Sequence, residues 1–193
     1  MPADARSSPT RPMRADARHN YERLLAEAES SFAEHGTAAS LEDIARRAGV
    51  GIGTLYRHFP TRDALLEALL HDRFESLTAL ARELRGTLSP SDALSGWLRQ
   101  FAARTTAYRG VPASVLATLR DESSQLYASC HAMRTAGTQL LHDAQQAGEA
   151  RTDVDSGDVF VLACSLAWAT EQRPDHTDRF LVLLMDGLRP HLA

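Results

Sequence analysis

Between Gly51 and Phe59 the chain reads GIGTLYRHF, bringing together one guanidinium, two hydroxyls, an imidazole and two glycines. Side chains of these types donate hydrogen bonds to phosphate oxygens, and glycines let a backbone come close to a bulky partner, so the set suits a surface lying along a phosphate-lined groove. The chemistry of catalysis is less well provided. No HExxH, GxSxG, P-loop or paired CxxC motif occurs, and His131 and His142 are eleven positions apart, a spacing that serves no metal. Accordingly no catalytic residue, metal ligand or cofactor is expected.

Two short helices are needed to hold that surface. In the first, Leu41, Ile44, Ala45 and Ala48 recur at i, i+3, i+4 and i+7, the stripe of a helix with one buried face. Ser40 is placed to cap it, with Asp43 three positions on as a weaker capping-box partner. Gly49 supplies the left-handed residue that ends a helix, and Val50 the apolar residue that usually follows. In the second helix Leu55 and Phe59 lie one turn apart and face inward, leaving Ile52, Gly53, Thr54, Tyr56, Arg57 and His58 on the outer faces. The pair is a helix-turn-helix.

The run Gly49-Val50-x-x-Gly53-Thr54-Leu55-Tyr56-x-His58-Phe59-x-x-Arg62, followed by Leu65 and Leu66, resembles the DNA-binding signature of TetR/AcrR-type transcriptional regulators. In the second half GWLRQF, LYASCH, AQQAGEARTDVD and AWATEQ are similar to the subset with an SbtR-like C-terminal domain. The resemblance implies an all-helical dimeric repressor, with an N-terminal DNA-binding domain and a C-terminal domain for ligand and dimer contacts. It also implies roles for single residues. Thr54, Tyr56 and His58 would touch phosphate or sugar, Ser40 and Arg62 flanking phosphates, and Ile52, Gly53 and Arg57 would lie nearest the base edges. Arg57 is either bidentate to guanine or a phosphate contact, and Ile52 offers only an apolar contact such as one to a thymine methyl.

Composition agrees with a soluble regulator. Of 193 residues 44% are hydrophobic and 24% charged. All 21 cations are arginine, so phosphate contacts fall to Arg, protonated His or the N-terminus. A net charge of −4 argues against indiscriminate coating of nucleic acid, but residues 1–62 hold 9 Arg against 8 acids while the remainder holds 12 against 17. The sign is that expected if the N-terminal part meets DNA. Cys130 and Cys164 sit in apolar helical patterns and read as small core residues. No signal peptide is evident, and the longest apolar run, Val159 to Ala169, is too short to span a bilayer, so a cytoplasmic location without membrane association is expected.

Residues 1–15 lack periodicity and are expected as a flexible arm, either reaching a minor groove or without a task. A helix-turn-helix domain over 16–62 follows, then a helical ligand-binding and dimerisation domain over 63–193. The first helix carries Tyr21, Leu24, Leu25, Ala28 and Phe32 on one face and ends at Gly36. A linker helix runs from about Arg62 to Arg85 and is closed by Gly86. With no strand alternation anywhere, nine helices are expected.

Trp97, Phe101, Tyr108, Tyr127, Cys130, His131 and Trp168 bring polar tips into an apolar interior, and form either a plain core or the lining of a small-molecule pocket. The helix from Val159 to Trp168 is apolar all round and the last helix nearly so, and both need cover on two sides. Val159, Phe160, Ala163, Ala167, Phe180, Leu184 and Leu188 are therefore expected at a homodimer interface. The function expected is a ligand-responsive repressor that binds palindromic double-stranded DNA as a dimer. A metal- or redox-responsive regulator and a helical enzyme are the alternatives.

Overall fold

The computed structural model describes residues 10–105 and 111–190, and among them every regular element is helical. The nine expected helices are α1 (Thr10–His35), α2 (Leu41–Arg47), α3 (Ile52–His58), α4 (Arg62–Thr87), α5 (Pro90–Thr105), α6 (Ala113–Thr118), α7 (Gln125–Gln146), α8 (Ser156–Gln172) and α9 (Thr177–Leu188). Single 3-10 turns lie at Gly36–Ala38 and Pro174–His176. The chain divides after Leu69 into two compact units, with α4 running through the division.

Two helix ends differ from the sequence expectation. α1 starts at Thr10, so residues 10–15, assigned to the arm, are helical, while the rest of that arm lies outside the described residues. Pro12 falls in the first turn, where a missing N–H breaks no intrahelical bond. At the other end of the linker, Gly86 does not close the helix. It takes no positive φ, and the Thr87 hydroxyl donates to the Glu83 carbonyl at 2.9 Å one turn back, so α4 continues to Thr87.

The N-terminal unit is α1 to α3 with the first two turns of α4, around Leu24, Ala28, Ile44, Leu55 and Leu65, all essentially inaccessible to solvent. In the C-terminal unit α5 is the central helix, packed on α7, α8 and α9. Its start follows a local rule. Pro90 opens the helix, the Asp92 N–H donates to Ser89 Oγ at 3.3 Å, and that hydroxyl donates to Asp92 Oδ2 at 2.7 Å. α8 opens on a full capping box made by Asp155 and Asp158.

At the heart of this unit Trp97 is 1% exposed, and its indole N–H donates to the Leu77 carbonyl at 2.9 Å. Phe101 stacks on the indole at 5.2 Å between centroids, and Phe160 meets both rings edge-on at 5.8 and 5.6 Å. Gly137 of α7 lies directly against the Trp97 ring.

Candidate nucleic-acid interface

The turn between α2 and α3 is built as its residues dictate. Ser40 Oγ accepts the Asp43 N–H at 3.1 Å, capping α2. At the far end Gly49 adopts φ +66°, its N–H donates to the Arg46 carbonyl at 3.0 Å, and the Val50 N–H donates to the Ala45 carbonyl at 3.0 Å. This double bond pattern is the Schellman motif, which reverses the chain within two residues. The α3 backbone then starts at Gly51, whose carbonyl accepts the Thr54 N–H at 2.8 Å. Leu55, 0% exposed, and Phe59, 2% exposed, fix the inner side of α3 in the core.

With that side fixed, the outer side follows. Ile52 is 37% and Tyr56 45% exposed, Gly53 and Arg57 are exposed, and Thr54 is half-buried at the edge. A Cβ at Gly53 would meet no atom within 4 Å, so nothing in the fold itself requires glycine there. His58 turns back toward the core: its ring is 6.0 Å from Tyr21 and 6.1 Å from Phe59, in an aromatic cluster completed by Tyr21 and Phe59 at 5.1 Å. Arg62, at the start of α4, donates to the carbonyls of Thr37 and Ala39 at 2.8 and 2.5 Å. Those bonds tie the segment before α2 to α4, so Arg62 holds the helix-turn-helix in place whatever else its guanidinium meets.

Charge on this surface is unevenly spent. Arg46 is paired with Asp43 at 2.8 Å, and that hydrogen bond and charge hold the Asp43 carboxyl below its ordinary range. Arg47 spans Glu27 at 2.9 Å and Glu34 at 3.3 Å, joining α2 to α1. Arg57 has no carboxylate partner among the described residues. Arg23 was not singled out from the sequence, yet its guanidinium lies over Gly49, where only a hydrogen leaves it room. No short-range pattern links two residues so far apart in the chain.

Among the described residues, the expected pocket residues lie in different surroundings. Trp97 and Phe101 are packed in the core, where the void beside Trp97, Gly137 and Phe160 measures about 10 Å³, room for one water at most. Tyr127 and Cys130 are half-buried, His131 is exposed with its ring stacked 6.1 Å from Tyr127, and Tyr108 lies outside the described residues. Trp168 is 58% exposed, on a groove with Arg134, Phe160 and Cys164. Cys164 is likewise exposed rather than a core residue. A separate groove of about 450 Å³ between α4 and α7 is lined by Arg82, Arg85, His131 and Gln139.

The expected dimer residues need correction too. Val159, Phe160, Ala163, Ala167 and Leu188 are buried inside their own unit, none more than 7% exposed. Only Phe180 and Leu184 of that set reach the surface, half-buried in a groove of about 460 Å³ between α8 and α9. The apolar surface consists instead of Val161, Leu162, Trp168, Val182 and Leu183, each between 48% and 67% exposed. A helix apolar on every side offers no polar stripe from which to fix its rotation, so the sequence does not show which face is turned to the core.

Residues 24–69 match the family of bacterial regulatory proteins described as tetR, and residues 89–190 match the SbtR-like C-terminal domain of transcriptional regulators. The TetR regulator SCO0520 from Streptomyces coelicolor is 38% identical, with a TM-score of 0.72, over 89% of this chain and 99% of its own. A TetR regulatory protein from Mycobacterium vanbaalenii is 33% identical, with a TM-score of 0.64, over 92% and 99% of the two chains. The transcriptional repressor KstR2 of Rhodococcus jostii is 27% identical over 87% of this chain and 91% of its own. These relatives are transcriptional regulators, and no described helix is long and apolar enough to cross a membrane. With a helix-turn-helix and a C-terminal unit that both match, the chain belongs to the TetR family of DNA-binding transcriptional regulators.

Proposed function

We propose that this regulator is a repressor that binds a palindromic operator as a C2 homodimer through α3 and is released by a small-molecule effector. The observation that carries the DNA reading is the outer face of α3. Gly53, Tyr56 and Arg57 stand exposed there on a core-locked helix, and Arg57 has no carboxylate partner among the described residues. Gly53, in the first turn of α3, has open space around it and no side chain, which leaves room for DNA to approach the backbone closely. Repression is the activity of the similar KstR2 protein of R. jostii. Dimerisation is supported by the exposed apolar face of α8 and α9, and a two-fold dimer matches a palindromic operator, whose half-sites lie about one DNA turn, or a multiple, apart.

The effector acts by favouring an arrangement that fits DNA poorly. Coupling of this kind is reciprocal, and a hundredfold release of operator needs about 2.7 kcal/mol of difference in effector affinity between the two arrangements.

The test begins with selection of the operator from random DNA fragments. Arg57→Ala is then expected to weaken binding by about 1–3 kcal/mol, and to relax preference at one position per half-site if Arg57 reads a base. Tyr56→Ala is expected to weaken all sequences alike. Gel-shift titrations in which both variants match wild type on the selected site would remove α3 from the interface.

A further inference from the structure

We propose that the groove between α4 and α7 is the effector site, and that it takes a small organic anion, a carboxylate or phosphate ester on a flat apolar body, with Arg82 as its counter-charge. This inference rests on the effector-responsive reading above and gives that effector a chemical class and a place.

The groove lies wholly within the C-terminal unit, open to solvent, with a volume of about 450 Å³, inside the range of small-molecule sites. α4 contributes Arg82 and, one turn on, Arg85; α7 contributes His131, Thr135 and Gln139. The two guanidiniums are treated differently by the chain. Arg85 is clamped on Asp143 by two bonds, Nε to Oδ2 at 2.5 Å and Nη2 to Oδ1 at 3.1 Å, and Gln139 Nε2 donates to the same carboxylate at 2.9 Å. Arg82 has no carboxylate within reach among the described residues.

One fixed acid thus answers one of two cations, and the groove keeps an uncompensated positive charge. The Arg85–Asp143 fork shows that a carboxylate is accepted in this corner of the unit. Arg82 presents the same bidentate donor geometry to a second anion, which would have to come from solution. Opposite it, His131 offers a ring nitrogen and Thr135 a hydroxyl for the remaining oxygen lone pairs. Ala81, Ala132 and Ala136 add an apolar part to the lining, against which a ring or a short chain can rest. The interior around Trp97 is packed, so the aromatic core itself offers an effector no room. Arg82 is exposed, and a neutral compound of the same shape would forgo the charge-assisted bonds that an anion makes with it.

Calorimetric titration of the full-length protein with phenylacetate, phenyl phosphate and phenylacetamide tests this, because the three share a ring and differ in charge. At least one anion is expected to bind at millimolar concentration or below. The amide should bind about tenfold more weakly or not at all, and Arg82→Gln should weaken the anion about tenfold without altering the circular dichroism or operator binding. The two anions separate a carboxylate site from a phosphate site. Equal binding of amide and anion, unchanged anion binding in Arg82→Gln, or no binding of either anion would each overturn the proposal. A parallel gel shift keeps the two readings apart. Operator released by a neutral compound while neither anion binds would leave the effector reading standing and remove the anion site. An anion that binds through Arg82 yet leaves operator occupancy unchanged would keep the site and remove its regulatory role.

Discussion

Val161→Asp is expected to give a folded protein that is monomeric at micromolar concentration and binds operator at least a hundredfold more weakly than wild type. Val161 is 67% exposed, so a carboxylate there is solvated in the single chain and leaves its core intact. Its neighbours on the same face, Leu162 and Trp168 on α8 and Val182 and Leu183 on α9, form an apolar surface of the kind that marks an interaction site. In a C2 pair the substitution enters twice, and two carboxylates taken out of water at about 2 kcal/mol each weaken association by about a thousandfold. Light scattering reads the mass, and circular dichroism checks the fold. A dimer that survived Val161→Asp would move the interface to another face, and a monomeric wild type would remove it.

The second large effect belongs to Gly137. A Cβ at this position would lie 2.6 Å from Trp97 Cη2, 2.9 Å from Cζ3 and 3.0 Å from Phe160 Cζ. The indole cannot yield easily, since its N–H is held by the Leu77 carbonyl and its faces by Phe101 and Phe160. Gly137→Val adds three carbons to that contact, and its expected cost is about 3 kcal/mol despite the better helix propensity of valine. For a chain of this size that is a fall of about 6–12 °C in melting temperature. Trp97→Phe in the same chain should recover part of the loss, because the smaller ring vacates the contested space. A Gly137→Val protein that melts with wild type would show that the Trp97 cluster is loosely packed.

How far the sequence discloses such features depends on their range. Ser40, Gly49, Ser89, Pro90, Asp155 and Asp158 act through bonds to residues two to five positions away, and the structure forms each of them as local rules require. The inward side of α3 was legible because Leu55 and Phe59 stand among polar neighbours. The rotation of α8 was not, because Val159 and Val161 are chemically alike and only packing on α5 and α7 makes one core and the other surface. Arg62 illustrates a different limit. Its place in the motif suggests phosphate, whereas the bonds it makes, to Thr37 and Ala39, join segments more than twenty residues apart. The α4–α7 groove is not legible in the sequence for the same reason, since Arg82 and His131 line one groove only once the fold brings two distant helices side by side.

The acids that hold Arg46 and Arg47 also govern how the regulator would search a chromosome. Affinity for random DNA comes almost entirely from counterions released when cations meet phosphates. Asp43, Glu27 and Glu34 engage two of the arginines next to α3 beforehand, so an arbitrary duplex must displace these surface pairs before it can use them. Contacts that depend on base sequence then make up a larger share of the whole, and most encounters with non-operator DNA end quickly. A shallow dependence of random-DNA binding on salt, set beside tight operator binding in the same buffers, is the signature to measure. A steep one would mean that the acids release their arginines to phosphate, and that the resting ion pairs serve as a store of charge drawn on by the duplex.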